Sequence, residues 1–580
     1  MRTTRRWLAT ACVATAWLTG CTTTVPPPAV EPAPAQATAY AIAMPDGHSA
    51  EVATRMLEAG GNAIDAAVAA AFTLAVTYPE AGNIGGGGFM LAHIDGEATF
   101  LDYREVAPAS ATRDMYLDAQ GEVVEGLSLT GHRAVGVPGT VAGLWEAHRR
   151  HGTLSWSTVL QPAVELAERG FAVPPALAQL AQEEQAGRLA STNFAAHFAG
   201  LAAGTTFRQP QLGATLRRVQ ADGIDGFYRG ITAEFIVQEM QRGGGLITRR
   251  DLEAYRPVWR KPLAANWRGR TVVSSPPPSS GGFALLQLLG MKEVLAPRFE
   301  GLWHNSAAYV HLVAEMEKRV FADRAEYAGD PDFVAVPIAQ LIEPAYVARR
   351  ATEVNPAAIS RIEAVGPGLA EPRHTTHFSI VDGWGNAVSN TFTLNTDFGS
   401  GVVVEGAGFL LNNEMDDFSA RPGTPNFYGV VGADANAIEP GKRMLSSMAP
   451  TIVLDRDGRV ELVVGTPGGS TIITSVFQTI VNVYDFEMSP QQAVDAARFH
   501  HQLLPPTQVT YDPALPAPTI VGLRRFGYEP VPHPWPLGDV QLVVRAAEGW
   551  AAASDGRGRG VSKVGSSARD VVANPGRIED

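Results

Sequence analysis

The spacing of apolar and polar positions changes along the chain, and each change predicts an element. Residues 49–59 and 62–76 read as helices separated by Gly60-Gly61. The second is rich in alanine (Ala63, Ala66, Ala67, Ala69, Ala70, Ala71), which permits close packing against a sheet. A helix follows Gly136-Val137-Pro138-Gly139. Another is expected over 162–168, with Pro162 in its first turn and Gly170 past its end. A third leaves the break at 274–282, and farther on His311, Glu315 and Lys318 share one helical face. Periodicity is lost over 334–372, where Pro337, Pro344, Pro356, Pro367 and Pro372 predict an exposed approach to residue 375. β-Branched and aromatic residues then become frequent, in 376–381 and again in 387–394. Asp382-Gly383-Trp384-Gly385 lies between, so the two pieces form a hairpin. Strand alternation puts Ala387, Ser389, Thr391, Thr393 and Asn395 on one face and Val388, Asn390, Phe392 and Leu394 on the other. The first face is unusually rich in hydroxyl and amide groups for a strand facing a core. The Gly/Ser/Arg-rich stretch 557–580 is expected to fray.

Composition changes this picture at the N-terminus. Arg2, Arg5 and Arg6 precede an apolar run over 7–18 that is too short to span a bilayer, so 1–21 reads as a secretory signal. Leu18-Thr19-Gly20-Cys21 resembles the bacterial lipoprotein signal, in which Cys21 would be lipidated and become the mature N-terminus; the alternative is an ordinary signal cut at small residues. Residues 22–38, rich in Pro, Ala and Thr, read as a tether, with the globular part beginning near Ala39. The other cysteine, Cys12, lies inside the signal, so the mature chain has no cysteine pair for a disulfide or a thiolate metal site. Over 580 residues, 45% hydrophobic and 18% charged content is that of a soluble globular protein. A net charge of −13 argues against a nucleic-acid partner. A local arginine can still override that field for an acidic substrate.

Two patterns carry candidate chemistry that their context does not support. Gly82-Asn83-Ile84-Gly85-Gly86-Gly87-Gly88 could cradle phosphate, but no Gly-Lys-Ser/Thr follows, and the helix precedes the loop instead of following it. His311 and Glu315 have metal-ligand spacing, but a Glu one turn from a His is a common structural pair and no further ligand is evident. No metal and no cofactor is expected.

The hairpin region is more specific. Thr375-Thr376-His377-Phe378-Ser379, then Gly385-Asn386-Ala387-Val388, then Thr393-Leu394-Asn395-Thr396 resembles the γ-glutamyltranspeptidase family of N-terminal-nucleophile hydrolases. The resemblance extends to Gly60–Leu91 and to most of the chain between Ala39 and Gly556. It implies an α/β fold, the αββα sandwich, built as one heterodimeric unit from a self-cleaved precursor. The cut would fall between His374 and Thr375, giving a large subunit, 39–374, and a small subunit, 375–580. Thr375 would be the nucleophile, Thr393 would orient its hydroxyl, and Gly468 and Gly469 of Gly465-Thr466-Pro467-Gly468-Gly469-Ser470 would form the oxyanion hole. In Asp102-Tyr103-Arg104-Glu105, Arg104 would take the donor α-carboxylate, a planar fork on a planar anion. Ser446 and Ser447 would sit beside it. Glu414, where bacterial relatives often have Gln, and Asp417 would hold the α-ammonium. Asn395 would also contact substrate, and Tyr428 would close a lid loop over the pocket.

A threonine hydroxyl needs a base. Self-cleavage would supply it as the Thr375 α-amine, whose reference pKa of about 7.7–8.0 leaves a neutral fraction near neutral pH. The expected reaction is γ-glutamyl transfer or hydrolysis, with glutathione and related γ-glutamyl compounds as donors and water, amino acids or peptides as acceptors. A related acylase acting on glutaryl β-lactams ranks second, and a non-enzymatic binding lipoprotein third. The expected location is the periplasmic side of a bacterial envelope, held by the Cys21 lipid alone, on the outer membrane in preference to the inner.

Overall fold

The computed structural model describes residues 40–361, 365, 375–421 and 432–566. The expected hairpin lies at the middle of a seven-stranded sheet. Strands of the two large sheets are numbered here in chain order: β1 Tyr40–Met44, β2 Gly87–Ile94, β3 Glu97–Asp102, β4 Val258–Arg260, β5 Leu263–Trp267, β6 Arg270–Ser274, β7 Thr376–Val381, β8 Ala387–Thr393, β9 Thr451–Leu454, β10 Val460–Gly465, β11 Gln541–Ala546, β12 Gly549–Ser554 and β13 Val561–Gly565. The first sheet runs β13-β1-β7-β8-β2-β3-β4 and the second β12-β11-β10-β9-β6-β5. Neighbouring strands in both sheets run antiparallel.

Alternation along these strands feeds two separate cores. Ile42, Met90, Phe378, Ile380, Val388 and Phe392 join the core beneath helices α1 (Gly47–Glu58), α2 (Ala63–Thr77), α3 (Thr140–His151) and α4 (Trp156–Arg169). Ala41, Ala43, Phe89, Leu91, Val381 and Ala387 face the other way, toward Ile452, Val463 and Leu542 of the second sheet. That core continues through the second sheet to α5 (Gly281–Val294), α6 (Ala307–Tyr327) and α7 (Thr471–Tyr484). The order is helix, sheet, sheet, helix: the αββα sandwich.

The hydroxyl-rich face of the hairpin lies between the sheets as a hydrogen-bonded seam. Ser389 Oγ donates to the Val464 carbonyl at 3.1 Å and accepts from the Thr451 amide at 3.0 Å. Ser379 Oγ donates to the Gln541 carbonyl at 3.0 Å, so it accepts from His377 Nε2 at 3.1 Å. His377 Nδ1 is then left to accept from Thr391 Oγ1 at 2.8 Å. Burial lowers the His377 pKa to about 3, so the ring is neutral. A seam in which each polar atom has a partner fixes the register of one sheet on the other.

Three local expectations are corrected. The helix expected over 162–168 begins at Trp156, because Ser155 caps it by accepting from the Thr158 amide, and Pro162 sits inside it. Within 334–372, Ile338–Leu341 and Pro344–Thr352 are short helices. The start of 557–580 is ordered: Arg557 pairs with Asp512 at 2.7 Å, Arg559 with Glu80 at 2.6 Å, and β13 zips onto β1. His311 bonds the Asn355 carbonyl at 2.8 Å, and Glu315 pairs with Lys318 at 2.7 Å and Arg319 at 3.1 Å. Among the described residues no group of three or more His, Cys, Asp or Glu could hold a metal.

Candidate active site

The site lies at one end of the hairpin. Thr376 pairs with Phe392, and the register continued by one residue sets Thr375 opposite Thr393. Thr375 is 8% exposed. On its other side Thr393 pairs with Gly87. Asn83 Nδ2 donates to the Thr393 carbonyl at 2.8 Å, and Asn83 Oδ1 accepts from the Gly86 amide and from Thr140 Oγ1. A Cβ on Gly86 would lie 2.1 Å from the Thr393 carbonyl oxygen, so the run of glycines is there for close approach of backbone to backbone. Beyond the strand, Asn395 adopts φ +82°, its amide donates to Thr393 Oγ1 at 2.7 Å, and its Nδ2 donates to the Asn413 carbonyl at 3.0 Å.

Asn413 leads into the short 3-10 turn Glu414–Asp417. Asn412 pins this turn, accepting from the Glu414 and Gly136 amides and donating to the carbonyls of Gly85 and Gly136. Arg104, just past β3, reaches the turn with only 1% of its side chain exposed. Its Nη1 lies 2.6 Å from Glu414 Oε2 and 3.7 Å from Glu105 Oε2, and its Nη2 bonds Asp417. Further bonds to the carbonyls of Met444 and Leu445 bring Ser446 and Ser447 alongside. Ser447 Oγ accepts from Arg324 at 3.1 Å.

One guanidinium thus faces three carboxylates. Burial alone would lower the Arg104 pKa, but Glu414, Asp417 and Glu105 outweigh it and hold the group above its ordinary value. Burial pushes Glu105 up to about 8 against the pull of Arg104, and it raises Glu414 and Asp417 as well. Acid outnumbers base around this guanidinium, which suits a ligand that brings an ammonium.

Gly468 and Gly469 follow β10 and open α7, with φ of +133° and +57°. The end of β10 lies over the start of β7, since a Cβ on Gly465 would sit 2.3 Å from His377 Cε1. The loop after Gly465 and the residue before Thr376 therefore leave the sandwich at the same end. A hydroxyl, a glycine loop at a helix N-terminus and a buried guanidinium set among carboxyl groups are parts from which an acyl-transfer site can be built.

Of the residues expected from the sequence, Thr393, Asn395, Glu414, Asp417, Arg104, Ser446 and Ser447 are joined by this chain of contacts. Thr375 is adjacent to it through the hairpin register, and Gly468 and Gly469 through the shared end of the sandwich. His374, Tyr428 and Cys21 lie outside the described residues. Asp397, without an assigned role from the sequence, is buried beyond the hairpin, and its carbonyl accepts from Arg188 at 2.5 Å. Glu105, Asn83, Asn412 and Arg324 do not stand out in the sequence. For Glu105 the available signal is its place beside Arg104 at the end of an apolar strand.

Comparison with known proteins finds one family profile and several relatives. The family profile described as Gamma-glutamyltranspeptidase matches residues 49–565. A glutathione hydrolase proenzyme of Pseudomonas aeruginosa is 58% identical over 526 residues, covering 90% of this chain and 94% of the relative. A solved γ-glutamyltranspeptidase from Pseudomonas nitroreducens, complexed with L-DON, is 55% identical with a TM-score of 0.55, covering 56% of this chain and 96% of that one. A cephalosporin acylase from Bacillus halodurans is 27% identical with a TM-score of 0.79, covering 91% of this chain and 96% of that one.

Proposed function

This chain belongs to the γ-glutamyltranspeptidase family, and from that premise we propose how its own residues perform the family's reaction. It is a glutathione hydrolase and γ-glutamyltransferase, made as a proenzyme and processed to two subunits. The observation that carries the assignment of roles is Arg104 bracketed by Glu414 and Asp417, tied through Asn413 and Asn395 to Thr393.

The subunit boundary falls between His374 and Thr375. In support, the matched Pseudomonas nitroreducens chain is almost fully covered by 56% of this one, close to the size of 39–374. Thr375 Oγ attacks the His374 carbonyl and water opens the ester, which frees the Thr375 α-amine. In turnover that amine takes the proton of Thr375 Oγ, which attacks the γ-glutamyl carbonyl. Gly468 and Gly469 amides stabilise the oxyanion. The amine of the departing cysteinylglycine takes the proton, and water or an amino acid or peptide amine then resolves the Thr375 ester. Arg104, Ser446 and Ser447 take the donor α-carboxylate while Glu414 and Asp417 take its α-ammonium. The bracket orients the donor as well as binding it.

The likeness to a cephalosporin acylase supports a second reading, an acylase, for which a glutaryl β-lactam is the candidate substrate. A glutaryl group has no α-ammonium to meet the Glu414 and Asp417 carboxyl groups beside Arg104, and this favours the γ-glutamyl donor. We also propose that the protein sits on the periplasmic face of the envelope, lipid-anchored at Cys21, on the strength of the Leu18-Thr19-Gly20-Cys21 motif. Among the described residues no helix is long and apolar enough to cross a membrane.

The test is an intact mass of purified wild type and Thr375→Ala, with turnover of glutathione and of a glutaryl amide by each. Two chains and glutathione cleavage in the wild type, with one uncut inactive chain in the variant, are expected. A fragment beginning at position 375 in the variant would sink self-cleavage, and preference for the glutaryl amide would favour the acylase.

A further inference from the structure

Ser470, the residue just before helix α7, and Thr474 and Gln478 within it are four apart and so lie on one face. That face is stitched to the segment 498–502. Ser470 Oγ donates to Gln502 Oε1 at 2.9 Å and lies 3.2 Å from His500 Nε2. His500 Nδ1 is 2.9 Å from Thr474 Oγ1, and its Nε2 is 2.7 Å from Gln502 Oε1. Gln478 exchanges bonds with both backbone groups of Phe499. Because Gln502 Oε1 can only accept, His500 carries its proton on Nε2, and Nδ1 accepts from the Thr474 hydroxyl. The ring is 3% exposed, and Phe321 packs edge-on against it with centroids 5.4 Å apart. Burial holds the imidazole neutral, with a pKa of about 3.

Ser470 is the residue directly after Gly468 and Gly469. The loop's own bonds run into the same turn: the Thr471 amide and hydroxyl both donate to the Gly468 carbonyl, at 3.1 and 2.7 Å, and the Ile472 amide donates to that of Gly469 at 3.2 Å. Its other end is tied to the same segment, since Thr466 Oγ1 accepts from the Asp539 amide at 2.9 Å and Arg498 holds the nearby Leu537 carbonyl. Two glycines at positive φ have little conformational preference of their own. Their amide directions are set by what fixes Thr466 and Ser470.

We propose that His500, backed by Gln502, is a positioning residue for the Gly468-Gly469 oxyanion loop: a neutral imidazole that locks Ser470 and Thr474, and through them aims the loop amides. It takes no proton in the reaction. The proposal rests on the reading of Gly468 and Gly469 as the oxyanion hole. An oxyanion exists only after attack, so loss of aim lowers kcat and leaves ground-state binding alone.

The test uses purified, processed protein and γ-glutamyl-p-nitroanilide. Loss of a direct oxyanion donor costs about 100- to 1,000-fold in kcat, so His500→Ala, acting one step away, should cost at least about tenfold with KM within about twofold. Ser470→Ala should show a smaller loss of the same kind, and it carries the test if His500→Ala stays uncut. His500→Gln restores a donor where Nε2 was and should recover most of the loss, which a general packing defect would not do. Gly468→Ala, whose Cβ would lie 2.4 Å from Thr471 Oγ1, separates the two readings. If Gly468→Ala loses kcat while His500→Ala and Ser470→Ala keep it, the positioning role is overturned and the oxyanion assignment stands. If Gly468→Ala also keeps its kcat, the oxyanion assignment falls first. A KM that rises as far as kcat falls would place His500 in donor binding and overturn the proposal.

Discussion

Arg104 Nη1 lies 2.6 Å from Glu414 Oε2, and both side chains are shut away from solvent. Removing one partner of a buried pair leaves the other charge uncompensated. The geometry therefore couples substrate recognition to the local fold, and the informative substitutions at this pair keep the charge and change the shape.

Arg104→Lys is such a substitution. Lysine keeps the positive charge but cannot form the two-pronged contact to a carboxylate. Charge-assisted hydrogen bonds contribute about 1.5–3 kcal/mol each, so kcat/KM for γ-glutamyl donors should fall at least about tenfold. Cleavage into two chains should be spared, because it uses no donor. A gel and a donor titration on one preparation check both. Two chains with unchanged kinetics would remove Arg104 from the donor site.

Glu105 yields a pH prediction. Its carboxyl has an ordinary pKa of 4.5 and is pushed up to about 8 in the fold, chiefly by burial. Between those values the folded state holds a proton that the unfolded state has lost. The stability it contributes is full below about pH 4.5 and is lost as pH rises through about 8. Glu105→Gln cannot lose that proton, so its melting temperature should fall less steeply than wild type between about pH 5 and pH 8.5. Parallel curves would show that Glu105 is ionised throughout.

The hairpin is legible in the sequence from its alternation, whereas the layered fold is legible only through the family resemblance carried by Thr375–Ser379, Gly385–Val388 and Thr393–Thr396. The candidate site is outlined in the sequence by the same resemblance, because Thr375, Arg104, Asp417 and the glycine loop each stand in a short motif that matches the family. Glu105 escapes because an acid beside an arginine reads as a surface pair until burial is known. His500 escapes because only the fold brings residue 500 against a helix that begins at 471. The order of 557–565 is hidden because β13 is held by pairing with β1, more than 500 residues away, which local composition does not reveal.

Gly465 tests the junction between the sheets. A Cβ there would lie 2.3 Å from His377 Cε1 and 2.5 Å from Nδ1. The ring is held by Thr391 and Ser379 and has little room to give. Overpacking of this kind costs about 1–3 kcal/mol, so Gly465→Ala should melt a few degrees lower. His377→Ala alone should also destabilise, but combining the two should cost less than their sum. Additive losses would mean that the added methyl group and the ring do not meet.

Cys21 tests the location. If Cys21 is lipidated, the wild type should partition with membranes and enter detergent, while Cys21→Ser, lacking the thiol that takes the lipid, should not carry the modification. Mass analysis of the mature N-terminus gives the direct reading. Wild type found wholly soluble in the periplasm, without a lipid mass on residue 21, would remove the anchor.

Thr393 has two duties that kinetics can separate. Its hydroxyl stands across the hairpin from Thr375, where it can orient the nucleophile, and it accepts from the amide of Asn395, which it holds at φ +82°. A left-handed Asn held in this way should shift when that bond is lost. Thr393→Val keeps the volume and removes the hydroxyl, so kcat should fall at least about tenfold as the nucleophile loses its orienting partner, and KM should rise as Asn395 moves. Thr393→Ser retains the hydroxyl and should stay within about threefold of wild type. Asn395→Ala should raise KM with a smaller effect on kcat, because it leaves the Thr393 hydroxyl in place. Steady-state kinetics on the processed forms of all three decide the matter. A Thr393→Val enzyme with full kcat and a raised KM would leave Thr393 only the holding of Asn395, and the orientation of Thr375 would have to come from its own α-amine.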